Sequence, residues 1–458
     1  MKIYPYYPKP IKNKASIFTR YFKNRRSWLN SLYERSYTMK MGEFKVPLID
    51  IYIVNEPDLI HRVMVTEVKF FPKHHLQHEM LKPVLGESIF TTNGKVWKKQ
   101  RELLNPSFEM TRISHVFDLM QEASQDLLAR LEKRNPNTYT DIDKEMTFVT
   151  ADIIFRTILS KKLTLEEGEK IVKAFEIFQE TSAKITMLKI FKIPKIFHSK
   201  KLESSYKESG NIIRQSLADI IQPRYDDSLN KNAYKDILST LLKVIDEETA
   251  KPFSFQEILD QVAMLFLAGH ETSASSLTWT LYLLALYPEH QESAYEEIIH
   301  ACGKEKFSVQ NIKELTFLTK IVKESLRLYP PVSFFPRETV EATTMRNKKL
   351  KKGSVVVVSP WLMHRNNRYW EDPHMFNPHR FDDPKSIHKH TYFPFGMGQR
   401  VCIGSAFAMQ ETLLLLASMI REYKLEVEPG FTPDIVGRLT TRSLNGLNVK
   451  FIKREGVS

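Results

Sequence analysis

Apolar positions recur at helical spacing along most of the chain, and β-type runs interrupt them in only a few places. From Gly42 to Val54 the residues Phe44, Val46, Leu48, Ile49, Ile51, Tyr52 and Ile53 predict strand structure. A helix is predicted after Asn55-Glu56-Pro57-Asp58, with Asn55 or Asp58 available as its cap. The pattern is helical from Thr111 to about Ile245, with breaks at Asn135-Pro136-Asn137 and Ile193-Pro194-Lys195. A mostly apolar segment from Ser254 to Leu286 predicts one long buried helix. Lys349–Ser359 and Tyr423–Val427 read as short strands, and Asn445-Gly446 between apolar runs reads as a hairpin turn. The predicted class is mainly α with a minor β region, its β-rich parts at about 41–60 and 330–360.

The 458 residues contain no low-complexity tract, repeat or Gly/Ser linker, so residues 1–458 read as a single domain with an N-terminal segment at 1–40. Hydrophobic residues make up 42%, enough for a large core. The first thirty residues carry Pro5, Pro8, Pro10 and many basic residues but no uninterrupted apolar run. Neither a signal peptide nor a membrane anchor is predicted there, and a soluble, cytoplasmic protein is expected. The two cysteines, Cys302 and Cys402, exclude a disulfide framework and suit a reducing compartment. Cys302 stands at a predicted helix end and reads as packing. Net charge is +13, but the lysines are scattered and not interleaved with aromatics, which argues against nucleic-acid binding. An acidic protein partner, or simply a lysine-rich background, accounts for the excess.

The chemistry concentrates in Phe395-Gly-Met-Gly-Gln-Arg400-Val-Cys402-Ile-Gly404. Gly398 permits a tight turn, and the helix predicted from about Ile403 to Glu422 turns its positive end toward the sulfur. Both features predict a depressed thiol pKa, and the thiolate is the form that binds metal. A buried structural cysteine at a helix start is the alternative. The run Phe-x-x-Gly-x-Arg-x-Cys-x-Gly resembles, without departure, the heme-binding signature of the cytochromes P-450, of a soluble, bacterial kind; cysteine-ligated heme in this family is a standard example of thiolate ligation. The resemblance implies the cytochrome P-450 fold, heme b as cofactor, Cys402 as the iron ligand, and Phe395 and Arg400 beside the cofactor.

Further motifs follow in the order of that family. Ala268-Gly269-His270-Glu271-Thr272 lies in the long apolar segment, with Ala268 and Thr272 four residues apart on one face. Small residues there admit a flat ligand, and Glu271 is costly in so apolar a run unless it has a partner or a task. Helix packing with a polar edge is the alternative. The run is similar to the family's acid–alcohol pair, which implies that Thr272 and Glu271 deliver the protons needed for O–O cleavage. His270 faces elsewhere and reads as structural. Trp97 and Arg101 are i, i+4 neighbours able to grip a carboxylate, or else a surface cation–π pair. The resemblance makes them heme-propionate ligands, with Arg337 and His364 as further candidates. Glu324 and Arg327 stand i, i+3 and are similar to a family pair that is joined by Arg380 of Asn377-Pro-His-Arg-Phe381 in a structural network.

The implied reaction places one atom of dioxygen into a hydrophobic organic substrate, such as a fatty acid, terpene or sterol-like lipid. Phe266, Leu267, Val332, Phe334 and Phe335 are the expected pocket. Electrons are expected from a ferredoxin or flavodoxin with its reductase, docking near Lys98, Lys99 and Arg400. A peroxide-dependent hydroxylase and a non-catalytic heme sensor are the alternatives, and neither needs Glu271-Thr272. His74, His75 and His78 form a His-His-x-x-His cluster with metal-like spacing but no evident further ligand; His388 and His390 read as a solvated loop.

Overall fold

The computed structural model describes residues 3–12, 27–46, 49–109, 116–190, 193–194, 198–227, 234, 236–246 and 250–455. Thr111 and Lys195, the start and one break of the predicted helical stretch, lie outside these residues, as does part of the N-terminal segment. After two short helical turns, Trp28–Ser31 and Glu34–Thr38, come strands β1 (Met41–Val46) and β2 (Ile49–Val54). Helices follow as α1 (His75–Leu85), α2 (Gly94–Leu104), α3 (Phe117–Glu132), α4 (Ile142–Leu159), α5 (Leu165–Ile190) and α6 (Lys200–Asp226). Then come α7 (Phe255–Leu286), α8 (Pro288–Cys302), α9 (Thr316–Leu328), β3 (Phe335–Glu338), β4 (Val355–Val358) and α10 (Ser405–Glu422). The C-terminal strands are β5 (Tyr423–Val427), β6 (Ile435–Gly437), β7 (Thr441–Ser443) and β8 (Asn448–Lys453).

Because α7 is apolar nearly all round, it can only be a central helix. Ser254 and Glu257 close a capping box at its start, and every residue from Ser273 to Ala285 is buried. Helix α4 lies along it, tied by Thr150 Oγ1 donating to the His270 carbonyl at 3.0 Å. Gly269 makes this approach possible: a Cβ there would stand 2.5 Å from Ile154 Cδ1. Trp279 is fully buried, stacks on Tyr329 with ring centroids 4.2 Å apart, and donates its indole N–H to the Thr441 carbonyl at 2.9 Å. Helices α9 and α10 complete the packing around α7. Among the described residues no helix is long and apolar enough to cross a membrane.

The two predicted β-rich parts meet in one sheet of order β1-β2-β4-β3. Strand β2 runs parallel to β4, pairing Ile51 with Val355, while β1 and β3 pair antiparallel on the outer sides. Two local expectations fail. Asn55 does not cap the next helix; its amide donates to the carbonyls of Ser36 and Tyr37, and Pro57 opens the helix instead. Asn445-Gly446 is not a hairpin turn, because β7 pairs with β6 and β8 pairs with β5. The Asn445 side chain holds Ser443 and the Asp434 amide, so the chain leaves one sheet there and enters another.

Candidate active site

The Cys402 loop is built by backbone contacts. The Cys402 N–H donates to the Phe395 carbonyl at 2.9 Å, and Gly396 N–H to Phe393 at 3.0 Å. Gly398 has φ +70°, and a Cβ on it would meet the Met64 carbonyl at 2.6 Å, so only glycine lets the loop lie against that segment. Arg101 Nη1 donates to the Val401 carbonyl at 2.8 Å, tying α2 to the loop. Cys402 is exposed, and the surface it offers opens on a large cavity. The predicted thiol pKa depression is not observed: burial raises it, against weaker opposition from the Gly404 N–H and the Arg101 charge. One helix end does not outweigh desolvation.

Beside the cysteine stand four cations, Lys73, Arg101, Arg337 and Arg400, all lining the cavity. Among the described residues no carboxylate pairs with any of them. Arg400 lies over the Trp97 ring at 4.7 Å and donates to Asn93 Oδ1 at 2.9 Å, but its Nε is buried without a partner. Arg337 is 5% exposed, and its Nε is likewise orphaned. Burial, with the neighbouring Arg400 charge, pulls the Arg337 pKa down to about 9, and burial brings Arg400 to about 10. Lys73 is held well below its usual value by burial and then by the three arginines. Its Nζ donates to the carbonyls of Ile89 and Thr92. Sequence reasoning missed Lys73, one lysine among many; its only signal is tertiary, a β-bridge to Arg337.

Across the cavity, α7 presents Ala268, Gly269 and Thr272. Thr272 Oγ1 donates to the Ala268 carbonyl at 2.7 Å. Glu271 is buried and paired: Arg442 Nη2 lies 3.0 Å from Oε1, and Thr440 Oγ1 donates to Oε2 at 2.8 Å. Arg442 also binds Asp143 of α4. Burial acts to raise the Glu271 pKa, but Arg442 and the other partners together bring it below the usual carboxylate value. For Asp143 burial wins and raises it. Arg442 and Thr440 went unrecognised in the sequence because they lie far along the chain on β7 and its turn.

The cavity encloses about 1360 Å³, more than the ~300–1,000 Å³ of an ordinary ligand pocket. Leu267, Val332, Phe334, Phe335 and Phe395 line it. Phe266 does not; one residue round the helix, its ring packs edge-on to Phe155 and stacks on His270. His364 does not reach the cavity either. It is fully buried in loop packing, where Nε2 accepts the Phe393 N–H at 3.0 Å. Arg400 turns inward and is not a surface docking cation, whereas Lys98 is exposed. The three histidines separate: His78 pairs with Glu87, while His74 and His75 converge on Glu338. His74 Nδ1 accepts the Leu76 N–H, which leaves the proton on Nε2, the atom that faces Glu338. That tautomer is wrong for a metal ligand at Nε2. Glu324 is held by both Arg327, in a bidentate pair at 2.7 and 2.8 Å, and Arg380 at 3.3 Å. Arg327 also donates to the carbonyls of His364, Pro373 and Met375, which lead into the cysteine loop.

A thiol facing small helix residues across an apolar cavity, with unneutralised cations at its side, fits a flat dianionic metal macrocycle. The site and fold define a heme-thiolate protein. The family model for cytochrome P450 matches residues 11–446, and the chain belongs to that family. It is similar to cytochrome P450 4V2 of Rattus norvegicus, 29% identical over 431 residues that cover 89% of this chain and 81% of the relative. A cytokinin hydroxylase of Arabidopsis thaliana is 30% identical over 86% of this chain and 78% of its own length. Cytochrome P450 4c3 of Drosophila melanogaster is 28% identical over 87% and 79%. The protein is a heme b monooxygenase that uses dioxygen, an external electron source and a hydrophobic substrate.

Proposed function

We propose that Cys402 ligates the heme iron, that Lys73, Trp97, Arg101, Arg337 and Arg400 hold the heme carboxylates, and that Thr272 passes protons at the opposite wall. The bound heme supplies dioxygen activation, to which a thiolate contributes electron density. The observation carrying the assignment is the cation cluster, without counter-anions among the described residues, set beside Cys402, which opens on the cavity. Thr272, whose hydroxyl donates to the Ala268 carbonyl, can release that bond and turn its proton toward the cavity. Glu271, ionised against Arg442, accepts protons and returns them along the Thr440 side. The apolar lining from Leu267, Val332, Phe334 and Phe335 excludes water and selects an apolar substrate.

The Glu324–Arg327–Arg380 network holds the cysteine loop in register. The electron donor is a ferredoxin or flavodoxin served by a reductase; the excess of positive charge and the exposed Lys98 support an acidic docking partner. The two free cysteines support work in a reducing cytoplasm. Carbon monoxide added to the reduced protein should give a red-shifted Soret band that Cys402→Ser abolishes. Persistence of that band in the serine variant refutes the ligand assignment. Thr272→Ala should retain the band but divert reducing equivalents to peroxide; turnover with peroxide alone, and none with any reduced donor, would establish a peroxygenase instead.

A further inference from the structure

The cavity wall formed by α1 is apolar except at one place. Leu76, Met80, Leu81 and Leu85 line the space, and Gln77 stands among them. The Oε1 atom of Gln77 is buried and has no hydrogen-bond partner. Among the described residues nothing pairs with its Nε2 either. Helix α1 is held so that it cannot carry this side chain elsewhere. The Tyr206 hydroxyl donates to its Glu79 and Met80 carbonyls at 3.2 and 2.7 Å, and Lys189 of α5 reaches the Glu79 carboxylate at 2.6 Å. Helix α5 lines the same cavity with Ser182 and Thr186. Their hydroxyls donate to the carbonyls of Gln179 and Ser182 at 3.1 and 2.8 Å, so neither gives its proton to Gln77. A buried amide oxygen without a donor is costly, and a hydrogen bond from a bound molecule removes that cost.

We propose that the Gln77 amide reads a neutral polar group, a hydroxyl or a carbonyl, on an otherwise apolar substrate. The hydrophobic substrate is thereby narrowed to an oxygenated one, an alcohol or ketone in place of a bare hydrocarbon. A hydroxyl suits the site best, because it donates to Oε1 and accepts from Nε2. A carboxylate suits it least, since its oxygens have no proton for Oε1. Its anchor would be Arg35 instead, an exposed cation that also lines the cavity. Held at Gln77, the substrate has one end fixed, and the carbon that meets the Thr272 wall is then set by its length. Gln77 touches the substrate and fixes its position but takes no part in the bond changes.

This assignment rests on the monooxygenase reading for its consequence in turnover but not for its first test. Calorimetric titration of the heme-loaded protein with decane, decanol, methyl octyl ketone and decanoate reads binding without any reaction. Gln77→Leu should weaken decanol and the ketone about ten-fold, decanol more, and leave decane unchanged or tighter. Gln77→Met, which keeps the unbranched shape, should do the same and separates the effect from any loss of fold in the leucine variant. Parallel changes for decane and decanol show that solvent satisfies the amide and overturn the proposal. Decanoate that binds more tightly than decanol, and weakens with Arg35→Gln but not with Gln77→Leu, places the anchor at Arg35 and also overturns it. In turnover, Gln77→Leu should spread the oxidation of decanol over more carbons, and an unchanged product distribution refutes the positioning role. The expected binding pattern with no product from any probe supports the amide and counts against the monooxygenase reading alone.

Discussion

Glu271 and Arg442 form a 3.0 Å ion pair between the cavity helix and β7, and the same guanidinium reaches Asp143 on α4. One cation thus serves two buried acids. Arg442→Leu strands both and should destabilise the protein by ~3–5 kcal/mol, the scale for breaking a buried pair. Urea unfolding at neutral pH checks this. Glu271→Gln should cost less, because Arg442 keeps Asp143.

The pH dependence of stability should carry the mark of Glu411. Burial of this carboxyl on α10, which meets the Ser273 hydroxyl, lifts its folded pKa to about 8, above the ordinary carboxylate range, so folding favours the protonated form. The stabilisation is full below the unfolded value and declines as pH rises toward the folded one. Each unit in that window is worth about 1.4 kcal/mol at most. Glu411→Gln cannot ionise, so its stability relative to wild type should climb from acid pH to about pH 8 and then level. Paired denaturant titrations across the range measure the slope.

Lys73 should show opposite signs in two assays. Without bound anions it is a buried cation surrounded by Arg101, Arg337 and Arg400, all repelling it. Lys73→Met should therefore raise the melting temperature of the heme-free protein. The same change removes one of the cations assigned to the heme carboxylates and should speed heme loss to an acceptor globin. A slower loss counts against that assignment.

Gly398→Ala combines a left-handed backbone with a Cβ directed at the Met64 carbonyl. The backbone alone costs about 1–2 kcal/mol, and the contact forces the loop away from its neighbour. Reduced heme content at similar expression should result. At Gly353, where φ is +79° but no atom lies within 4 Å, alanine should cost only the backbone component, which makes it the internal control.

The cysteine loop, the central helix and the Glu324 pair were legible in the sequence because their signals are local: ten consecutive residues, one long and mostly apolar run, one i, i+3 spacing. Lys73 and Arg442 were not, since a lone lysine and a lone arginine gain meaning only from the strands that carry them to the cavity. Phe266 was misread for another reason. A helix turns about 100° per residue, so neighbours of a cavity-facing Leu267 need not face the cavity themselves. The thiol pKa failed where a favourable dipole was counted without the cost of leaving water.

Strand β2 finds its partner β4 only when Ile51 meets Val355, so most of the polypeptide must emerge before that sheet exists. Contacts so distant along the chain form slowly, and the intermediates expose apolar surface while they wait. Since β3, carrying Phe335 and Arg337, is fastened to β4, one wall of the cavity is assembled late. Availability of the pigment during biosynthesis, and not only afterwards, should govern how much intact material a host accumulates.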